Sequence, residues 1–265
     1  MLNYPVLFFP LSVFLLWVAA RIGILLRKRR PLNSEDREDF GFVQAATLTL
    51  LGLIIGFSFS MAIGRYDLRR NYEEAEANAI GTEYVRAGFL PSADTGRVRA
   101  LLNKYLDLRI AFYRTRDQSA LRQINADTGQ LQTELWSAVQ GPALAQQTPV
   151  LALAAGGMND VLNSQGYTQA AWWNRIPVAA WCLMLTIAVG CNLLVGYGGR
   201  SAQAKSSVLL ILPLSLSVAF LLIADIDSPR GGLIHVPPQN LVSLSQSLSQ
   251  GRSHPEVAQP PLTSQ

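Results

Sequence analysis

Apolar residues along this chain gather into four blocks, at residues 5–26, 42–63, 176–197 and 206–226. Each is close to the roughly 20 residues that a helix needs to cross the hydrocarbon core of a bilayer. None has an acidic residue or a lysine in its middle, and Arg21 sits near the end of the first block, where its long side chain reaches the headgroups. The second block predicts a helix that leaves the membrane unbroken and runs on as a charged rod to Tyr84, with Glu73, Glu74 and Glu76 exposed and Ala75, Ala79, Ile80 and Tyr84 inward. Gly88 and Pro91 end it. Ser92 or Asp94 is positioned to cap a following helix whose apolar row is Val98, Leu101, Leu102, Tyr105, Leu108 and Phe112. A further helix is predicted over residues 117–139, with Leu121, Ile124, Leu131, Leu135 and Trp136 as its apolar positions and Gly141 and Pro142 as its stop. Another fits residues 148–163, with Pro149 in the first turn, where a missing N–H is tolerated.

No run alternates apolar and polar residues as a strand requires. The pattern therefore predicts an all-α membrane protein: four transmembrane helices, with a helical extramembrane domain between the second and third and the second helix extending out of the membrane. The corresponding organisation is a first helix pair with a basic linker (1–64), the helical domain (65–175), a second helix pair (176–227), and a post-membrane segment with a disordered Gln-, Ser- and Pro-rich tail (228–265).

The second block carries two further rows. Gly52, Gly56, Ser60 and Gly64 recur every fourth residue, and Thr49, Leu53, Phe57 and Met61 form a bulky row beside them. Small residues let membrane helices approach closely, which suits a ring of like helices and equally suits packing inside one four-helix bundle. In a ring, the bulky row would face the axis or an adjacent helix. Arg65, Arg69 and Arg70 follow at the membrane edge.

The net charge of +4 is modest, and the excess arginine clusters at the ends of the apolar blocks, where lipid headgroups are the natural partner. No nucleic-acid motif is present. The first block is too long for a cleaved signal and is followed by Arg27, Lys28, Arg29 and Arg30, so it reads as a retained anchor. Together with Arg37, and with Arg200 and Lys205 in the other short loop, these residues lean toward cytoplasmic short loops and an external helical domain. Trp172 and Trp173, ahead of the third block, and Tyr197, at its close, suit the two interfaces. Pro213 is placed to kink the fourth, with Ser215 and Ser217 near enough to serve freed backbone groups.

Candidate chemistry is sparse. Cys182 and Cys191 lie about 180° apart on one helix and cannot pair within the chain. His235 and His254 have no nucleophile or ligand cluster beside them, so neither an enzyme nor a cofactor is expected. Residues 199–206, GRSAQAKS, miss a phosphate loop because Ala204 replaces its second glycine and the segment joins two membrane spans. Asp225 and Asp227 make a carboxylate pair suited either to a cation or to salt bridges with Arg65, Arg69 or Arg230.

Three motifs, LGLIIGFSFSMAIGRYDLRR (51–70), EANAIGTEYVRAGFLP (76–91) and DIDSPRGGLIHV (225–236), resemble the bestrophin-like family of bacterial membrane proteins over roughly residues 42–241. A further likeness to bestrophin anion channels rests on Ile55, Gly56 and Phe57 and on Arg65 followed by Tyr66. That resemblance implies a homo-oligomer, a pentamer, in the bacterial inner membrane, whose second helices surround a pore with a hydrophobic neck. Carried over, the neck is Phe57 with Leu53 and Thr49, smaller residues than bestrophins use at the last two positions. Arg65 and Arg69 would stand at the pore mouth and favour anions, with Asp67, Glu73 and Glu74 close enough to oppose them. Apart from Asp225 and Asp227 the acidic calcium-binding cluster of animal bestrophins is missing, so calcium gating is not implied. Bestrophin topology places the helical domain in the cytoplasm, opposite to the charge count. The expected partners are further copies of the chain, membrane lipid and permeating ions; the alternative function is a non-conducting scaffold or sensor whose helical domain binds a partner or a signal.

Overall fold

Helix follows helix in the computed structural model, which describes residues 5–31, 33, 36–199 and 208–253. Glu35, Arg200, Lys205 and His254, and most of the 199–206 segment, lie outside the described residues. So does the tail beyond Ser253. No strand occurs among the described residues. Among the described residues four helical segments, within residues 6–29, 36–89, 149–198 and 209–227, are long and apolar enough to cross a membrane. The chain divides into two compact units, Met1–Leu68 with Trp172–His235, and Arg69–Ala171 with Val236–Gln265.

The first unit holds α1 (Pro5–Arg29), the amino-terminal part of α2 (Asp36–Arg86), α6 (Val178–Gly198) and α7 (Val208–Asp227). Arg27, Lys28 and Arg29 close α1, and Asp36, Glu38 and Asp39 open α2, each set matching the partial charge of the helix end it occupies. Between α1 and α6 the backbones nearly touch. A Cβ on Gly23 would run into the Leu193 carbonyl and the Tyr197 amide, and one on Gly196 would meet the Ala20 backbone. Around this crossing Leu16, Leu51, Ala62, Trp181, Met184, Ala188, Cys191, Phe220 and Ile223 form the core. Trp181 holds Phe8 and Phe220 edge-on, with ring centroids 5.6 and 6.5 Å away. Cys191 is buried and Cys182 exposed, as their opposite helix faces require.

The second unit holds the rest of α2, a 3₁₀ turn (Ala87–Phe89), α3 (Ser92–Arg114), α4 (Gln118–Ala145), most of α5 (Pro149–Trp173) and α8 (Gln239–Ser253). Leu90 is extended because it precedes Pro91, and this ends the α2 rod. The carbonyl of Tyr84, left over at the helix end, accepts from Arg99 Nε at 3.1 Å. Asp117 caps α4 by accepting from the Ala120 amide at 2.7 Å.

Several expectations need correction. Neither Ser92 nor Asp94 caps α3: the Asp94 and Thr95 amides already donate to Pro91 O at 2.9 and 3.0 Å, so the boundary falls on the proline. Pro142 lies inside α4, because it removes its own donor yet still accepts from the Gln146 amide at 3.0 Å. Helix α5 continues past Asn163 to Trp173, burying Val161, Ser164, Thr168, Ala171 and Trp172 on one face. The expected disordered tail is helical as far as Ser253, since Leu241, Leu244 and Leu248 form an apolar stripe at helical spacing. Finally, Glu73 and Glu76 are buried, whereas Glu74 is exposed.

Candidate functional site

In its membrane part, α2 turns one narrow seam to the core. Leu48, Leu51, Ile55, Ala62 and Tyr66 pack there at spacings of three, four and seven residues, with Ser58 also buried on α2. The opposite side is uncovered. Leu53 is 55% and Phe57 63% exposed, Met61 is open as well, and Thr49 shares the face. Beside them, a Cβ placed on Gly52, Gly56 or Gly64 would meet nothing within 4 Å, and Ser60 is exposed. Among the described residues the ladder of small residues thus makes no close packing contact within the chain. Thr49 donates its hydroxyl proton to Ala45 O at 2.9 Å, which satisfies that donor within the helix.

At the end of the same apolar stretch stands Arg65, whose Nη1 lies 3.8 Å from Asp227 Oδ1 at the close of α7. Both Asp227 oxygens also accept from the Ile176 amide, at 3.1 and 3.0 Å, ahead of α6. Asp225 accepts the Leu233 and Ile234 amides at 2.7 and 2.8 Å and so folds the segment after α7 back on the helix end. Arg230 stacks 4.2 Å above the Trp172 ring. The two aspartates are therefore engaged by backbone donors and, at Asp227, by the Arg65 guanidinium, and among the described residues no group of three or more His, Cys, Asp or Glu is placed to hold a metal ion. Arg69, expected at an open mouth, is a correction: it is 1% exposed, because it begins the inward stripe on which Glu73 and Glu76 follow.

That stripe is the feature the sequence pattern hid. Glu76 binds Arg109 Nε through one oxygen and accepts from Tyr113 Oη at 3.3 Å and Thr168 Oγ1 at 3.2 Å through the other. Arg109 in turn lies 4.4 Å over the Phe112 ring. Burial pulls against the guanidinium charge, but Glu76 more than offsets it and holds Arg109 above its ordinary pKa. Tyr113 is pushed up by burial and then by the Glu76 charge, so its phenol stays a donor. Glu73 takes Asn240 Nδ2 at 2.6 Å and the Leu241 amide at 3.0 Å, thereby capping α8 from another element. Glu83 completes the row. Residues 69, 73, 76, 80, 83 and 87 are all buried, a 3.6-residue period that tracks burial more faithfully than hydrophobicity does.

Solved structures share the fold. The fold is similar to the crystal structure of a bacterial bestrophin homolog from Klebsiella pneumoniae, with a TM-score of 0.66, 14% identity, and coverage of 92% of this chain and 99% of that one. A mutant of that homolog gives 0.66, 13%, 93% and 99%. A mutant structure described only as a membrane protein gives 0.65, 12%, 96% and 99%. No curated protein matches the chain by sequence. The family model described as the Bestrophin-like domain matches residues 6–241, and the chain belongs to the bestrophin-like family.

Proposed function

We propose that this protein is an ion-conducting homo-oligomer, a pentamer, whose α2 helices surround a common axis. One observation carries the reading: the small and bulky rows of α2 are both uncovered within the chain, although nearly every residue in them is apolar or small. A contiguous apolar face of this kind needs lipid or another protein surface against it. Gly52, Gly56, Ser60 and Gly64 let the backbone of a neighbouring α2 come close, and Thr49, Leu53 and Phe57 then narrow the passage. A constriction of that chemistry closes by shedding its water and opens when the rings move apart. The partly buried Arg65 places a cation at the mouth, which favours anions, whereas Asp227 beside it and the exposed Asp67 reduce the preference. The buried Arg69 is not part of an open rim.

Recording from purified protein in planar bilayers tests this. Phe57→Ala should raise single-channel conductance severalfold, and an unchanged current takes Phe57 out of the pore. Cysteines placed singly at Thr49, Leu53 and Phe57 should react with water-soluble thiol reagents. Protection of all of them, with no current, identifies a non-conducting scaffold or sensor instead.

A further inference from the structure

Glu83 stands on α2 about 30 Å beyond the apolar stretch 42–63, outside the hydrocarbon. It is 0% exposed, and neither of its carboxyl oxygens accepts a hydrogen bond. Its neighbours in the same stripe differ: Glu73 and Glu76 each have two or more donors. The Glu83 head group lies on α5 at Gly157, where a Cβ would collide with Glu83 Oε2 and come within 2.7 Å of Arg86 Nη1. Two charged groups face it: Arg86, one turn further along α2, and Asp160, one turn further along α5. Neither ion-pairs with it. A carboxylate in such a place lacks both water and donors, whereas the neutral acid loses far less on burial. Burial accordingly pushes the group from its ordinary 4.5 up to about 8, with Arg86 lowering it and Asp160 raising it.

We propose that Glu83 is a proton-binding site that latches α2 onto α5, so that the helical domain is tight with the acid protonated and loosens when it ionises. The glycine at 157 supplies the seat, since any side chain there would fill the space the head group occupies. The sign follows from linkage. The folded protein holds this proton more tightly than the unfolded chain, so the stabilisation is complete below about pH 4.5 and is lost as pH rises through about 8. The latch does not depend on conduction, and the proposal stands or falls without a current measurement.

Amide hydrogen exchange on the full-length protein in detergent, corrected for intrinsic rates, tests it from about pH 6 to about pH 9. Wild-type protection around Gly156–Asp160 in α5 should fall about a hundredfold across that interval, because the opened state, with an ordinary carboxyl, is already ionised at about pH 6 and each pH unit up to about 8 costs roughly tenfold. Glu83→Gln should keep the low-pH level of protection throughout. Asp160→Asn, a change at an exposed position, removes a like charge and should move the loosening to lower pH. A pH response of the same size in Glu83→Gln, or a flat wild type together with an unmoved Asp160→Asn, overturns the proposal.

Discussion

The two ends of α2 reverse the ordinary distribution of chemistry. In the membrane part leucine, phenylalanine and methionine are exposed, and only 17% of the helix's apolar window is buried within the chain, against 50% for α7. In the extramembrane part arginine, three glutamates and an isoleucine go inside while Glu74 and Asn78 face out. Solvent explains the contrast. Where lipid or another apolar helix covers a surface, apolar residues need no interior; where water does, burying a glutamate demands that its charge be matched or removed. One continuous helix carries both solutions, and its composition shows neither.

The largest effect is expected where that contrast is steepest. Glu76→Ala strands the Arg109 guanidinium in a dry interior and should cost roughly 3–5 kcal/mol in denaturant unfolding of the helical domain. Glu74→Ala, two residues away and exposed, should stay within about 0.5 kcal/mol. Equal losses for the pair would mean that the stripe's charges are solvated after all. Glycine offers the matching test in the membrane part. Gly196→Ala drives a methyl into the Ala20 backbone and should lose about 1–3 kcal/mol of thermal stability. Gly56→Ala meets open space and should leave unfolding unchanged, yet shift the native mass distribution toward smaller assemblies. If native mass spectrometry finds no shift, the bare row faces lipid. Asp227→Asn keeps one oxygen acceptor for Ile176 but removes the charge that faces Arg65 at 3.8 Å, and should cost about 1–2 kcal/mol in the same unfolding assay.

Much of the frame was legible. Four apolar blocks of membrane-spanning length fall on α1, α2, α6 and α7, and the Gly88–Pro91 stop marks where the α2 rod ends. The resemblance quoted from residues 51–70, 76–91 and 225–236 leads to the family that matches residues 6–241. Buried charge was not legible. Arg109, the partner that makes Glu76 tolerable inside, lies 33 positions away, and no local periodicity announces it. Helix α8 was missed for a related reason: its three leucines sit among serine and glutamine, and the Glu73 carboxylate that caps its start belongs to another element. Pro142 misled because a proline removes one N–H bond without forcing the helix to stop, and α4 runs on to Ala145.

The backbone contact at Gly23 and Gly196 has a mechanical corollary. Helices that touch main chain to main chain cannot slide without clashing, so α1 and α6 behave as a fixed frame. Among the described residues helix α2 meets that frame through side chains, Phe40 and Gln44 beside Gly198 and Tyr197 and the apolar seam beyond them, which can exchange rotamers and let it tilt or rotate. Whatever displacement accompanies activity should therefore fall on α2, with α1 and α6 as the stationary bearing.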